Sequence, residues 1–332
     1  RNVIDTNYHI NTCGQNSAHR PSGIYTSHVD GPIIEQNLLD HNGWNEDVQS
    51  ACATMYNHNM YLNADDLIVR ENFISRASSM GIKMRSDKSD DAKRLTFENN
   101  FFYDGEIGLG IGGNKDVAFR FVDVKIKGNV FSQVGIGNPT KRNFSWMLGI
   151  QDHDGSVVED NYFLHQPWYT NAFGIQLKST TAKGITLRNN LFYGLKKNPI
   201  SITAKSAWSA IKVENNRIVD VEFDECLISH SGPFAPLTYS GNAYSSTTSK
   251  GWFCVDGQRK DKAGWTAASG ETPKTAQTSF TDPTRTLETY AKSLGYKDAV
   301  ALIEAAKKRS RLDYDTALTA RAINAYIKAG FQ

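Results

Sequence analysis

No stretch of this 332-residue chain approaches the roughly 20 consecutive apolar residues that a membrane-spanning helix requires. The opening, RNVIDTNYHI, lacks the basic-then-apolar order of an export signal, so either a leader has been removed or the chain starts downstream of one. Net charge is also nearly missing. The 37 basic residues face 35 acidic ones, a formal +2, which argues against a broad electrostatic surface for nucleic acid or anionic membrane. Four cysteines occur, Cys13, Cys52, Cys226 and Cys254, with no CxxC pair and no Cys/His cluster at zinc spacing, so no structural metal is expected. What is present, 39% hydrophobic and 22% charged residues, is the composition of a soluble globular protein, and the length admits one large domain or two ordinary ones.

One pattern returns along most of the chain: apolar, any, apolar, one or two polar residues, Asn, then usually apolar residues. It reads IIEQNLL at Asn37, LIVRENFI at Asn72, LTFENNFF at Asn100 and VKIKGNVF at Asn129. It continues as VVEDNYF at Asn161, ITLRNNLF at Asn190, IKVENNRI at Asn216 and LTYSGNAY at Asn242, and RNVI is a truncated copy at Asn2. The steps from Asn2 are 35, 35, 28, 29, 32, 29, 26 and 26 residues. Units this short, rich in β-branched and aromatic residues and punctuated by turn residues, predict strands rather than helices. One coil of such strands cannot bury its apolar face alone, but stacked coils share a core, and the pattern therefore predicts a solenoid. The repeated Asn can tolerate a left-handed backbone and can hydrogen-bond its equivalents above and below as a ladder.

The repeat and its Asn ladder resemble the right-handed parallel β-helix superfamily, the pectate-lyase-like and the alginate-lyase or mannuronan C5-epimerase-like proteins, over residues 1–256. The resemblance implies an all-β solenoid that acts on carbohydrate. Because the first ladder copy falls at the second residue, upstream coils or a cap are expected to be missing. Residues 257–283 read as a polar loop or linker, and 284–332 as a tail of amphipathic helices packed on the solenoid and covering its C-terminal edge. Cys226 and Cys254 lie 28 residues apart, about one coil, so stacking can bring them within disulfide range. Cys13 and Cys52 can pair likewise, and four buried free thiols are the alternative. A disulfide would mean the periplasm or the outside of the cell.

Upstream of each Asn segment lies a second short strand: GIYTSH (23–28), HNMYLN (58–63), GIKMRS (81–86), LGIGGN (109–114), LGIQDHD (148–154), GIQLKS (174–179), ISITAK (200–205) and LISHSG (227–232). Ile24, Met60, Ile82, Ile111, Ile150, Ile175, Ile202 and Leu227 are expected to face inward. Alternation then turns outward Tyr25 and Ser27, Tyr61 and Asn63, Lys83 and Arg85, Gly110 and Gly112, Gln151 and His153, Gln176 and Lys178, Thr203 and Lys205, and Ile228 and His230. Any one of these cations alone reads as solvated surface. Aligned, they make a basic, amide-rich face with a glycine depression near its centre, suited to an extended anionic chain.

An acidic polysaccharide or oligosaccharide is the expected partner of that face, and β-elimination on a uronate the expected reaction. It needs a cation to neutralise the sugar carboxylate, a base for the C5 proton and an acid for the leaving oxygen. His58, Tyr61, Lys83, Arg85 and His153 are the candidate catalytic residues, and Tyr25, Gln151, Gln176, Lys178, Lys205 and His230 the candidate substrate-binding ones. QDHD (151–154) resembles the catalytic Asp-Pro-His-Asp stretch of the C5-epimerases, with His153 on the histidine but Gln151 and Asp152 in place of the first acid and the proline. An epimerase, sharing the same proton abstraction, therefore stands beside the lyase. A glycoside hydrolase is the enzymatic alternative: the outward rows lack its paired carboxylates, although acids in turns, Asp152, Asp154, Asp65, Asp66, Asp104 and Glu106 among them, can converge. A non-catalytic polysaccharide-binding or adhesive solenoid is the other. SDKSDD (86–91) reads as a solvated turn, and Ca²⁺ bound through Asp87, Asp90 and Asp91 is the one cofactor the resemblance allows.

Overall fold

In the computed structural model, which describes residues 1–332 except 15–18, 87–89, 114–119, 222–223 and 311, the chain winds as a parallel β-solenoid with three faces. Sheet 1 starts at Ser22–Tyr25 and stacks His58–Leu62, Met80–Met84, Ile107–Ile111, Phe144–Ile150, Asn171–Lys178, Ile200–Thr203, Ile228–Ser231 and Phe253–Val255 in parallel. Sheet 2 runs from Ile33–Glu35 to Leu237–Ser240, and sheet 3 from Val3–Asp5 to Lys274–Thr275. The inward rows form one continuous core, in which Phe102, Phe131, Phe163 and Phe192 stack with ring centroids 4.4, 4.9 and 4.8 Å apart and planes within 8° of parallel. Each such pair adds about 0.5–1.5 kcal/mol beyond area burial.

The repeated Asn is buried at the corner between sheets 2 and 3. From Asn37 to Asn216 its backbone N–H and its Nδ2–H both donate to Oδ1 of the Asn one coil later, at 2.9–3.0 Å. The left-handed backbone expected of the Asn belongs instead to the residue before it: Gln36, Glu71, Asn99, Asp160, Asn189 and Asn215 have φ between 51 and 57°. The strain of the turn is thus taken one position earlier, and the Asn keeps an extended approach that lets both of its donors reach the next coil.

Beside the Asn ladder, the outer edge of sheet 2 carries a row that alternates in sign. Glu35, Arg70, Glu98, Lys127, Glu159, Arg188 and Glu214 are successive register partners. Within the row, Arg70 meets Glu35 at 2.6 Å, and Arg188 and Lys127 meet Glu159 at 2.6 and 3.6 Å.

Residues 257–283, read from sequence as a linker, complete the solenoid. Gln258–Lys260 pairs antiparallel with the last parallel strand of sheet 1, and helix α1 (Lys262–Ser269) lays Trp265, fully buried, on Phe253 at 4.7 Å. Glu271 then occupies the next rung of the ladder. Its Oε1 accepts the backbone and side-chain N–H of Asn242 at 3.1 and 2.8 Å, and its Oε2 accepts the Tyr244 hydroxyl and the Trp265 indole N–H. The sequence hides this because Glu can accept but not donate, so a final rung need not look like an Asn repeat.

Helices α2 (Leu287–Ser293), α3 (Ala299–Lys307) and α4 (Ala320–Ala329) cover the outer face of sheet 3, not the C-terminal end expected for them. Leu38, Phe73, Phe101, Val130 and Leu191 pack there against Leu287, Leu302, Ile303, Ile323 and Ile327. An ion cluster fastens the seam. Burial would raise the Asp40 carboxyl, but hydrogen bonds and charge from Arg76, with Lys307 at 2.9 Å, outweigh it and hold the group below its ordinary value. Disulfides join Cys13 to Cys52 and Cys226 to Cys254, with Cα separations of 4.8 and 5.7 Å.

Candidate functional site

Sheet 1 has one face in the core and the other turned outward, and its register aligns Tyr25, Tyr61, Lys83, Gly110, Gly149, Gln176, Ser201 and Ser229 in a single outward row. At about 4.8 Å per strand, the six steps from Tyr25 to Ser201 span roughly 29 Å. Ile24, Met60 and Ile82 are partners as expected, whereas Ile111, itself the partner of Ile150, pairs with Met84 rather than Ile82, a shift of two that leaves their faces unchanged.

Three expected positions are corrected. In the eighth strand Ile228 and His230 align with the inward residues Ile200 and Ile202, so the row slips by one and His230 is fully buried, its Nδ1 paired with the Tyr239 hydroxyl at 2.8 Å. His153 belongs to sheet 2: Asp152 adopts φ 61°, the strand breaks, and His153 points inward as the partner of Phe121. It is 1% exposed, with Nδ1 on the Ser156 hydroxyl at 2.8 Å, and burial lowers its pKa to about 3. The histidine of the epimerase-like stretch is therefore in the core, and it is Gln151 and Asp152 that reach the groove.

The remaining candidates fall into two neighbouring groups. In the first, Tyr25 stacks on Tyr61 at 5.7 Å and Tyr61 on His58 at 5.6 Å, while Arg85 Nη1 donates to the Tyr61 hydroxyl at 3.2 Å. His58 lies beneath, 4% exposed, its Nδ1 accepting the Met80 amide at 3.3 Å. Burial first, then the charges of Lys83 and Arg142, lower its pKa to about 3, so it is a neutral imidazole. Lys83 donates to the Gly112 carbonyl, and burial, with the charge of Arg85, lowers its ammonium pKa to about 8. Arg142 is held by Glu106, fully buried, at 3.0 Å and by Ser79 at 2.7 Å.

In the second group, Gln151, Gln176, Lys178 and Lys205 line one depression of about 480 Å³ together with Trp146, Asp152 and Asn171. Between the groups the floor consists of glycine: a Cβ on Gly149 would meet none of the described residues within 4 Å, so the trough is open there among them, while Met80 lies over Gly110. Gly112, at φ 125°, has Gln151 Cβ within 2.4 Å of where its own would be, and only glycine fits.

Trp146 and Asn171 were not singled out as site residues in the sequence, and Asp152 was named there only among the acids in turns. Trp146 carried a signal, an aromatic two residues from Phe144 at a strand start, but Asn171 and Asp152 are placed by turns that alternation does not reveal. Of the acids expected in turns, Asp66 is bound by Arg94, Asp154 by Arg120 at 2.9 Å and Glu106 by Arg142. Asp87 lies outside the described residues; Asp90 meets Lys93 at 3.2 Å and Asp91 accepts the Arg120 amide at 2.7 Å.

No protein-family model and no curated protein matches the chain. Among solved structures it is similar to the crystal structure of alginate lyase from Paenibacillus sp. str. FPU-7, with 14% identity and a TM-score of 0.41, over 77% of this chain and 99% of that one. On the evidence of its own sheets and ladder, the chain is a parallel β-helix with a polar groove along one face.

Proposed function

We propose that the protein is a secreted or periplasmic polysaccharide lyase that cleaves an acidic, uronate-containing chain by β-elimination in the groove of sheet 1. The observation that carries the reading is Lys83: a half-buried lysine, its pKa lowered to about 8, beside the Arg85–Tyr61 pair and two strands from the open floor at Gly149. Strongly shifted groups that sit in a cleft beside a charged partner cluster at functional sites. Arg85 neutralises the uronate carboxylate and the Gln151 amide donates a hydrogen bond to it, which together acidify the C5–H bond. The neutral amine of Lys83 takes the C5 proton, the C4–O bond breaks as the C4=C5 double bond forms, and the Tyr61 hydroxyl gives its proton to the departing oxygen. His58, neutral and buried, orients the Tyr61 ring. Gln176, Lys178 and Lys205 hold the chain further along. The two disulfides support an oxidising compartment. Of the described residues lining the depression Asp152 is the one carboxylate, which speaks against the hydrolase alternative.

The test is incubation with alginate, pectate, glucuronan and glycosaminoglycans, with and without Ca²⁺, following the ultraviolet absorbance of unsaturated uronate ends. A rise on one polymer, lost in Lys83→Ala, is the expected result. No rise on any polymer, with new reducing ends instead, would assign a hydrolase, and binding without either product would assign a binding module.

A further inference from the structure

Asp152 does something that the elimination does not require. It sits where sheet 1 turns into sheet 2, 5% exposed, on the wall of the depression formed by Trp146, Asn171, Gln176, Lys178 and Lys205. Backbone N–H groups of Thr180 and Thr181 favour its charged form against the effect of burial, yet Oδ1 has no hydrogen-bond partner among the described residues. A buried carboxyl oxygen left unpaired is costly, and a fold that keeps one beside a polar depression leaves an acceptor for something that enters it. The surroundings say what can enter. Lys178 and Lys205, both exposed, supply positive charge on one side; Trp146 supplies an apolar wall, its indole fixed by hydrogen bonds to Asn171 and by rings at 4.5 and 5.2 Å.

We propose that this depression is a subsite for one uronate residue bearing a free hydroxyl, in which the Asp152 carboxyl accepts the hydroxyl hydrogen while Lys178 and Lys205 hold that residue's carboxylate. The proposal rests on the reading of the groove as a site for acidic polysaccharide and adds a selectivity to it. The subsite lies three strands from Lys83, roughly 14 Å along the groove, so it selects the neighbourhood of the cut and not the reacting sugar itself. An O-acetyl group removes the donor and leaves the Asp152 oxygen unpaired, and an O-sulfate brings a second anion against the carboxylate. Both modifications are rejected for different physical reasons.

Those reasons are separable by substitution. Asp152 is in the left-handed region, where Gly and Asn are tolerated, so Asp152→Gly removes the carboxyl and Asp152→Asn keeps a carbonyl acceptor without the charge. Calorimetric titration with oligomannuronate, oligogalacturonate and their O-acetylated and O-sulfated forms reads the preference independently of catalysis. The wild type is expected to bind the unsubstituted oligomer about tenfold or more tighter than either modified form. Asp152→Gly should lose both preferences, that against acetyl by weakening the unsubstituted complex and that against sulfate by relieving the repulsion, and Asp152→Asn should keep the discrimination against acetyl while relaxing that against sulfate. Equal affinities in the wild type, or an unchanged preference in Asp152→Gly, would overturn the subsite and leave the lyase standing. No binding of any oligomer would overturn the acidic-polysaccharide reading and the subsite with it.

Discussion

At the scale of single residues, the chemistry depends on a lysine that can lose its proton near neutrality. Lys83 is charged in water up to about pH 10.4, but burial and the adjacent Arg85 bring it to about 8. If its neutral amine is the base, turnover rises as pH passes through about 8, because only the deprotonated fraction reacts. Lys83→Arg, whose guanidinium does not titrate in this range, should lower turnover roughly 10²- to 10⁴-fold while leaving polymer binding largely intact. A pH–rate profile of the wild type that stays flat from pH 6 to 9 would remove Lys83 from the role of base. Its side chain was recognisable from sequence because Lys83 and Arg85 alternate with Ile82 and Met84. Its lowered pKa was not, since that depends chiefly on burial between the coils stacked on either side.

Elements decide which of these residues meet. Alternation identified the strands and their faces correctly wherever a single apolar residue anchored each one, and a two-residue shift in pairing did no harm. It failed where two apolar residues adjoin, as at Leu227 and Ile228, both in the core, and where a non-glycine residue takes a left-handed turn, as at Asp152 ahead of His153. Neither event leaves a periodic trace. The two central glycines show the same distinction between fold and function within one sheet. Gly149→Leu extends a side chain into open space, so it should leave the melting temperature within a degree or two while abolishing polymer binding by filling the trough. Gly112→Ala must place a Cβ against Gln151 at positive φ and should destabilise by about 1–3 kcal/mol. Thermal melts and binding assays on the two variants separate these effects, and a Gly149→Leu protein that still binds polymer would move the groove elsewhere.

For the whole molecule, burial of neutral histidines sets the response to acid. His58 and His153 have pKa values lowered to about 3, against about 6.5 in an unfolded chain. Below pH 6.5 the unfolded chain therefore binds protons that the native state refuses until about pH 3, so stability is full above 6.5 and declines as pH falls through that window. Asp104 and Asp152, raised by burial, act in the opposite sense, but only nearer the carboxylate range. Urea midpoints should fall steadily between pH 7 and 5, and His58→Gln should flatten that slope; a midpoint independent of pH would mean that the imidazoles are not buried neutral in solution.

The row of alternating charges beside the Asn ladder adds a different constraint, on assembly. Every Asn rung is chemically the same as the next, so the ladder by itself cannot tell one coil from its neighbour during folding, and a coil skipped or paired out of turn would find equally good hydrogen bonds. The charges can tell them apart. A displacement by one coil sets Glu against Glu and Arg against Lys along the corner, and like charges facing each other across strands are unfavourable. Exposed ion pairs of this kind add little to the stability of the finished fold. Their value is as a parity check, through which a repetitive chain rejects its own most plausible miscounts.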